Sequence, residues 1–445
     1  MANVLLINSV IREFAPPNNP PLGVMYLASV LEEHGHHVDI CDLNALRTYI
    51  PFREHWLEGS MKHYDFIGLS GLIVTYAEQR RVLDYIVSHY ADFGNPVLIS
   101  GGGLASSVPE FTFRNVPELD ILVIGEGEQT LLEIVDGVKP LWEIEGIAYK
   151  DADSNIIYTN PRELISDLDV IPFPAWHKVP MDIYLRNPIW GGNAGNSSRI
   201  VFESKRSTNM IVSRGCPRSC NFCYHYVFGK KYRLRSVANV IAEIEQLYEV
   251  YDIDFVGFVD DNTTANRAWV LRFCKEMIEL RLPVKWGCSA RVNQVDPVLL
   301  KAMKVAGCEF IGFGVESASP EILKRMNKRI TAEQASEAIK MVREAGIWAN
   351  ATFIAGYPGE TRETLKMTAG FMRENECLNS IFFATPYPGT VLYQESVTKI
   401  LAKYGSEDVY IKTLADATDF RINLSEMEDE ELIELRGKAI KGETI

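Results

Sequence analysis

The chain has 445 residues, 47% hydrophobic and 23% charged, which suits a globular protein of two or three domains, each able to bury its own core. A net charge of −14 argues against non-specific attachment to nucleic acid. No apolar run approaches the roughly 20 residues that span a bilayer. The eight cysteines come with no signal-peptide pattern and do not read as a disulfide framework, so a reducing, cytoplasmic setting is expected.

Residues 1–160 alternate short apolar runs with amphipathic segments. Val4–Asn8, Val38–Cys41, Phe66–Ser70, Val97–Ser100 and Ile121–Ile124 are predicted strands, and Leu22–His34 and Glu78–Tyr90 have helical spacing. That alternation predicts a doubly wound, Rossmann-like α/β domain. Ile144–Lys150 and Asn155–Thr159, joined by Asp151-Ala152-Asp153-Ser154, predict a closing hairpin. A connector over 161–204 follows, punctuated by Pro161, Pro172, Pro174, Pro180 and Pro188, with a loop expected at Gly191–Ser198.

Over residues 205–390 a second alternating series begins. Met210–Ser213, Phe255–Val259, Val284–Cys288, Phe310–Gly314, Asn350–Ala355 and Ile381–Ala384 are six predicted strands. Helical patterns fill the gaps, among them Val237–Tyr251, Ala268–Leu280 and Ala332–Ala345. Six such units are two short of a full (β/α)8 barrel, and barrels of this type gather their chemistry at the C-terminal ends of strands. Residues 391–445 read as a helical C-terminal region, less regular at Leu414–Asn423 and amphipathic over Asp429–Lys441.

The most informative stretch is Ser213-Arg214-Gly215-Cys216-Pro217-Arg218-Ser219-Cys220-Asn221-Phe222-Cys223-Tyr224. Three thiols at i, i+4 and i+7 fit one tight loop. Thiolates are the usual ligands of iron–sulfur clusters, which normally take four, so three leave one iron open to a substrate or cofactor. His225 leaves a second reading open, a Cys3His zinc site in a non-catalytic binding module. The other cysteines, Cys41, Cys274, Cys288, Cys308 and Cys377, lie among apolar neighbours and are expected in the core. The basic run Lys230, Lys231, Arg233 and Arg235 is either a solvated edge or a neighbour of anionic cofactor groups.

The Cys-x3-Cys-x-aromatic-Cys pattern resembles the signature of the radical S-adenosylmethionine (SAM) enzymes, and the resemblance covers roughly residues 205–390 and implies a six-stranded partial (β/α)6 TIM-like barrel there. It implies that Cys216, Cys220 and Cys223 are the catalytic, metal-binding residues of a [4Fe-4S] cluster, with Phe222 packed beside it. SAM would bind the open iron. One electron from an external donor such as flavodoxin or ferredoxin would then release a 5'-deoxyadenosyl radical. The resemblance also implies SAM contacts at successive strand ends. Asp261 would meet the amino group, where a partly buried ammonium needs an acceptor, although Asp and Asn also cap helices. Arg291 would pair with the SAM carboxylate or a substrate acid, and Glu316 with the ribose or methionine. Gly356 and Tyr357 would lie along the adenine, where glycine lets the backbone pass close to a flat ring.

The front part resembles the cobalamin-binding domain of one large radical SAM subfamily. The resemblance rests on Pro20-Pro21-Leu22-Gly23, Ser70-Gly71-Leu72, Gly101-Gly102-Gly103 and Gly125-Glu126-Gly127-Glu128. It implies that Ser70, Leu72, Gly101, Gly102, Gly103 and Glu126 bind cobalamin, the small residues lining its nucleotide tail. The Asp-x-His-x-x-Gly motif that ligates cobalt in other cobalamin domains is absent; His34, His36 and His37 lack its spacing. A front domain without cobalamin therefore stays open. The implied function is C-methylation of an unactivated carbon in a small-molecule, lipid or natural-product substrate. Cyclisation, oxidation or rearrangement is the alternative. A methylthiotransferase is disfavoured, because the front domain offers only Cys41 for a second cluster.

Overall fold

The computed structural model describes residues 1–10, 16–47, 62–186, 204–377 and 381–445. Pro188 and the loop expected at Gly191–Ser198 lie outside them. The chain divides into two compact units, Met1–Tyr184 with His225–Gly229 and Tyr404–Ala415, and Leu185–Tyr224 with Lys230–Lys403 and Asp416–Ile445.

In the first unit seven strands form one sheet in the order β2-β1-β3-β4-β5-β6-β7. They are β1 (Asn3–Asn8), β2 (His37–Asp42), β3 (Phe66–Gly71), β4 (Val97–Gly102), β5 (Ile121–Val123), β6 (Ile147–Lys150) and β7 (Ile156–Tyr158). The first five are parallel; β6 and β7 are the antiparallel hairpin expected from the sequence. Helix α1 (Leu22–Glu33) buries Leu22, Met25, Ala28 and Leu31, and α2 (Tyr76–Ser88) buries Val82, Leu83 and Ile86. Two-sided burial explains why the parallel strands read as unbroken apolar runs. The order 2-1-3-4-5 reverses direction between β1 and β3, and open α/β sheets bind ligands beyond the strand C-termini at such a point.

The second unit holds a six-stranded parallel sheet: β8 (Ser207–Met210), β9 (Phe255–Phe258), β10 (Lys285–Ala290), β11 (Cys308–Glu316), β12 (Trp348–Ala355) and β13 (Ile381–Phe383), each beside the next. Helices α3 (Val237–Tyr251), α4 (Arg267–Leu280), α5 (Ala332–Glu344) and α6 (Arg362–Glu374) provide crossovers. Thr331 and Thr361 start α5 and α6 with capping boxes, each cap contributing about 1 kcal/mol. Helix α7 (Asp429–Ile440) follows near the C-terminus.

One boundary differs from expectation. The first barrel strand is Ser207–Met210, not Met210–Ser213. Its polar Ser207, Thr208 and Asn209 are fully buried and hid it from an apolar-run reading. After Met210 the chain leaves the sheet: Asp260 Oδ1 accepts from the Val212 amide at 2.8 Å, and Ser213–Arg214 pairs antiparallel with Arg233–Leu234.

The two faces of the barrel sheet differ in packing. Phe258 and Trp286 meet Phe273 of α4 at ring distances of 5.4 and 5.2 Å, and Phe353 meets Phe371 of α6 at 5.9 Å, so these side chains face the helices. On β11 and β12 the opposite face carries Phe310, Gly312 and Gly314, then Asn350, Thr352 and Ile354, all only half-buried. Side chains fill a closed eight-stranded barrel; here the lumen face of β11 and β12 is left partly open.

Candidate functional site

The cysteine loop starts at Asp260. This fully buried carboxylate accepts from the Val212 amide and from Thr263 Oγ1 at 3.3 Å, and burial pushes its pKa up to about 7. Gly215 turns the chain with φ of +81°, which favours glycine. From the far side the segment after β11 clasps the loop. The Asn221 amide donates to the Met326 carbonyl at 3.0 Å, and Asn221 Nδ2 donates to the Arg325 carbonyl at 2.9 Å. Asn327 Nδ2 donates to the Ser219 carbonyl at 2.6 Å.

Cys216 and Cys220 are buried, while Cys223 keeps exposed surface at the rim. Burial, first among the causes, raises the Cys216 thiol. The Cys223 thiol is raised as well, by enclosure of its sulfur although the residue keeps exposed surface, with Cys220, Asp261 and Glu316 adding to the rise and Lys328 opposing it. The three cysteines, Asp261, Glu316, Arg291 and Lys328 therefore lie within electrostatic reach of one another. Arg291 Nη1 donates to Cys220 Sγ at 3.8 Å and Nη2 donates to the Lys328 carbonyl. Lys328 Nζ donates to Glu316 Oε1 at 2.8 Å and stands 5.7 Å from the Phe222 ring centroid.

Glu316 owes its position to a register shift between Gly314 and Glu316 that bulges the end of β11, leaving Glu316 at φ of +71°. Non-glycine residues at positive φ cost free energy and persist where surroundings hold them. A Cβ on residue 314 would collide with the Glu316 carboxylate and come within 3.0 Å of Lys328 Nζ, so Gly314 makes room for the pair. Lys328 was not singled out from the sequence. Its only signal is its place in the basic stretch after Glu316.

At the end of β12, Gly356 has φ of +84°, and a Cβ there would come within 2.9 Å of Leu432 on α7. Glu360 is fully buried, accepts from the Gly356 amide at 2.5 Å and is pushed by burial up to about 8. Its Oε1 and the Tyr357 hydroxyl have no hydrogen-bond partner among the described residues. Asn262, fully buried beside the exposed Asp261, has both amide atoms unpartnered by the same criterion and makes no side-chain capping bond.

In the first unit, parallel pairing sets Asn8, Ser70 and Gly101 side by side at the C-terminal ends of β1, β3 and β4. Ser70, Gly101 and Gly102 are half-buried and Leu72 is 52% exposed, while Gly103 is buried at the start of the next helix. The two neighbouring glycines differ. Gly102 has φ of +83°, and a Cβ there would approach the Gly71 carbonyl at 2.8 Å; at Gly101 the nearest atom would be 3.7 Å away. Tyr184 and Asn8 both donate to the buried Asp42, fixing the end of β1. Glu126 is buried and its Oε2 accepts from the Ile165 amide at 2.8 Å, which occupies one of its oxygens within the protein.

Comparison with known proteins agrees with both units. Residues 210–372 match the Radical SAM superfamily and residues 9–135 the B12 binding domain. An uncharacterized methyltransferase of Pyrococcus horikoshii is 33% identical over 88% of this chain and 82% of the relative. The chain belongs to the cobalamin-dependent radical SAM enzymes. The anaerobic magnesium-protoporphyrin IX monomethyl ester cyclase of Rubrivivax gelatinosus is 29% identical over 86% of this chain and 67% of its own length. A solved structure of the cobalamin-dependent SAM radical enzyme OxsB with aqua-cobalamin bound matches with a TM-score of 0.71 at 20% identity, covering 92% of this chain and 56% of OxsB, a likeness of fold.

The cofactors of this radical SAM enzyme are a [4Fe-4S] cluster, SAM and cobalamin, and the residues present fit them. Among the described residues no three His, Cys, Asp or Glu side chains converge closely enough to hold a single metal ion. Three thiols spread along a loop suit a cluster, in which each binds its own iron. Carboxylates and a lysine at the same mouth suit the ammonium and carboxylate of a methionine moiety. Half-buried strand ends with small residues suit a nucleotide tail. The described histidines near this sheet lie elsewhere. His34 and His89 follow the C-termini of α1 and α2, His36 bonds to Asp136 at 3.0 Å and to the Ala2 amide, His37 opens β2 and His63 precedes β3, so none of these five is at a strand C-terminus. No described helix is long and apolar enough to cross a membrane.

Proposed function

We propose that the chain is a cobalamin-dependent C-methyltransferase acting on an unactivated carbon of a small-molecule substrate in the cytoplasm, with flavodoxin or ferredoxin as electron donor. The observation that carries the reading is the convergence of Cys216, Cys220 and Cys223 with the buried Glu316–Lys328 pair beside a half-open lumen face. The relative named a methyltransferase supports this reaction class. When bound, the cluster supplies the electron, SAM the radical and methyl equivalents, and cobalamin the methyl carrier.

The protein's part is to hold and orient these groups. Cys216, Cys220 and Cys223 bind three irons. Asp261 carries the charge that meets the SAM ammonium, with Glu316, paired to Lys328, in reach of the ribose or methionine. The Gly356–Tyr357 turn, pressed by Leu432, forms a wall for the adenine. Ser70, Leu72, Gly101, Gly102 and Gly103 line the cobalamin tail. On the lumen face, Ser289, Gly312 and Asn350 are register partners, as are Gly314 and Thr352. These uncharged polar groups would orient a substrate, and glycine leaves it room.

The Rubrivivax cyclase favours a second reading, radical cyclisation or oxidation without methyl transfer. Product analysis after anaerobic turnover separates the two. Methyl transfer yields S-adenosylhomocysteine together with 5'-deoxyadenosine, and a substrate mass raised by one methyl. Deoxyadenosine alone, with a cyclised or oxidised product, would replace the first reading by the second.

A further inference from the structure

Arg291 directly follows Ala290, the last residue of β10, and is 9% exposed. Its guanidinium is already committed. Nη1 donates to Cys220 Sγ at 3.8 Å, Nη2 donates to the Lys328 carbonyl, and Nε has no partner among the described residues. A guanidinium holds five N–H donors in a rigid fork and stays charged. Here the fork is clamped at one end by a backbone carbonyl, so the other end is held toward the sulfur. This geometry differs from a residue free to grip a carboxylate of SAM or substrate.

Hydrogen bonds to the sulfurs and nearby charge are among the factors that set the potential of an iron–sulfur cluster. Reduction adds one negative charge to the cluster. A fixed cation donating to a ligand sulfur stabilises that added charge, and low local dielectric makes the effect larger than at the surface. We propose that Arg291 sets the reduction potential of the cluster through Cys220, raising it so that a protein electron donor can deliver the electron. Lys328 has a separate task in this division: its ammonium is engaged by Glu316, and only its carbonyl holds Arg291.

The inference rests on the cluster being bound by Cys216, Cys220 and Cys223. Its test is a redox titration of the reconstituted full chain without SAM, so that SAM affinity does not enter. Iron content and the electron paramagnetic resonance signal of the reduced cluster are followed in wild type, Arg291→Gln and Arg291→Lys. The expected result is full iron content in all three. At the wild-type midpoint, the reduced-to-oxidised ratio of Arg291→Gln should fall about tenfold, a shift of about 59 mV for a one-electron couple. Arg291→Lys, which keeps the charge and loses the fork, should fall between.

An unchanged midpoint in Arg291→Gln at full iron content would overturn the proposal. Loss of iron from both variants would overturn it as well, by making Arg291 an assembly contact. A wild-type chain that takes up no cluster would instead remove the cluster reading on which the proposal stands.

Discussion

Lys328 Nζ lies 2.8 Å from Glu316 Oε1, with both side chains more than nine-tenths buried. Breaking a buried pair by removing one partner leaves an uncompensated charge and typically costs about 3–5 kcal/mol, whereas removing both costs far less. Lys328→Met should therefore lower stability by that order, and Glu316→Gln in the same chain should recover most of the loss. Denaturant unfolding of both single variants and the double variant checks this. Destabilisation of the double variant by the sum of the two single effects would mean that the two charges act independently.

SAM affinity gives a second expectation at the same place. Glu316→Gln should weaken SAM binding by about 1–3 kcal/mol, the usual result of losing a buried polar contact. Gly314→Ala should do the same without touching a charge, because its Cβ displaces the Glu316 carboxylate. Equilibrium dialysis with the cluster in place measures both. Wild-type affinity in Gly314→Ala would separate SAM binding from the Glu316 position.

Glu360 makes a prediction about pH. Its pKa, ordinarily 4.5, is raised by burial to about 8 in the folded chain. A raised carboxyl gives its full stability below the unfolded pKa, and that stability is lost as pH rises toward the folded value. Between about pH 4.5 and 8, wild type should lose stability relative to Glu360→Gln, whose amide oxygen still accepts from Gly356. Thermal unfolding across that range checks the sign; parallel curves would contradict it.

Much of this was legible in the sequence, and the exceptions have physical causes. The apolar strands of the first unit read correctly because burial on both faces makes them continuous. Ser207–Met210 did not, because its buried polar residues Ser207, Thr208 and Asn209 leave no apolar signal. The cysteine loop is local, so spacing alone exposes it. Lys328 and the lumen face of β11 and β12 reach the site through tertiary register, bulges and loop returns, which no spacing rule encodes. Glu126 and Arg291 were placed among the cofactor contacts by their motifs, yet each has polar atoms bonded within the protein.

The cobalamin slot is best tested at Gly101 rather than Gly102. A side chain at Gly102 would strain its own backbone at φ of +83°, confounding fold and binding, while a Cβ at Gly101 meets only ordinary contacts, the nearest atom at 3.7 Å. Gly101→Trp should abolish uptake of hydroxocobalamin and leave the iron content unchanged. Cobalt and iron analysis of the reconstituted variant reads both. Full cobalt occupancy in Gly101→Trp would remove these strand ends from the cobalamin site.

The central claim is that Cys216, Cys220 and Cys223 hold a cluster that cleaves SAM. Its most direct test is 5'-deoxyadenosine formation by anaerobically reconstituted Cys220→Ala under strong reductant, beside wild type and with iron content measured in the same samples. The account predicts deoxyadenosine from wild type and none above background from Cys220→Ala, with the fold retained. SAM cleavage by Cys220→Ala at the wild-type rate would contradict it.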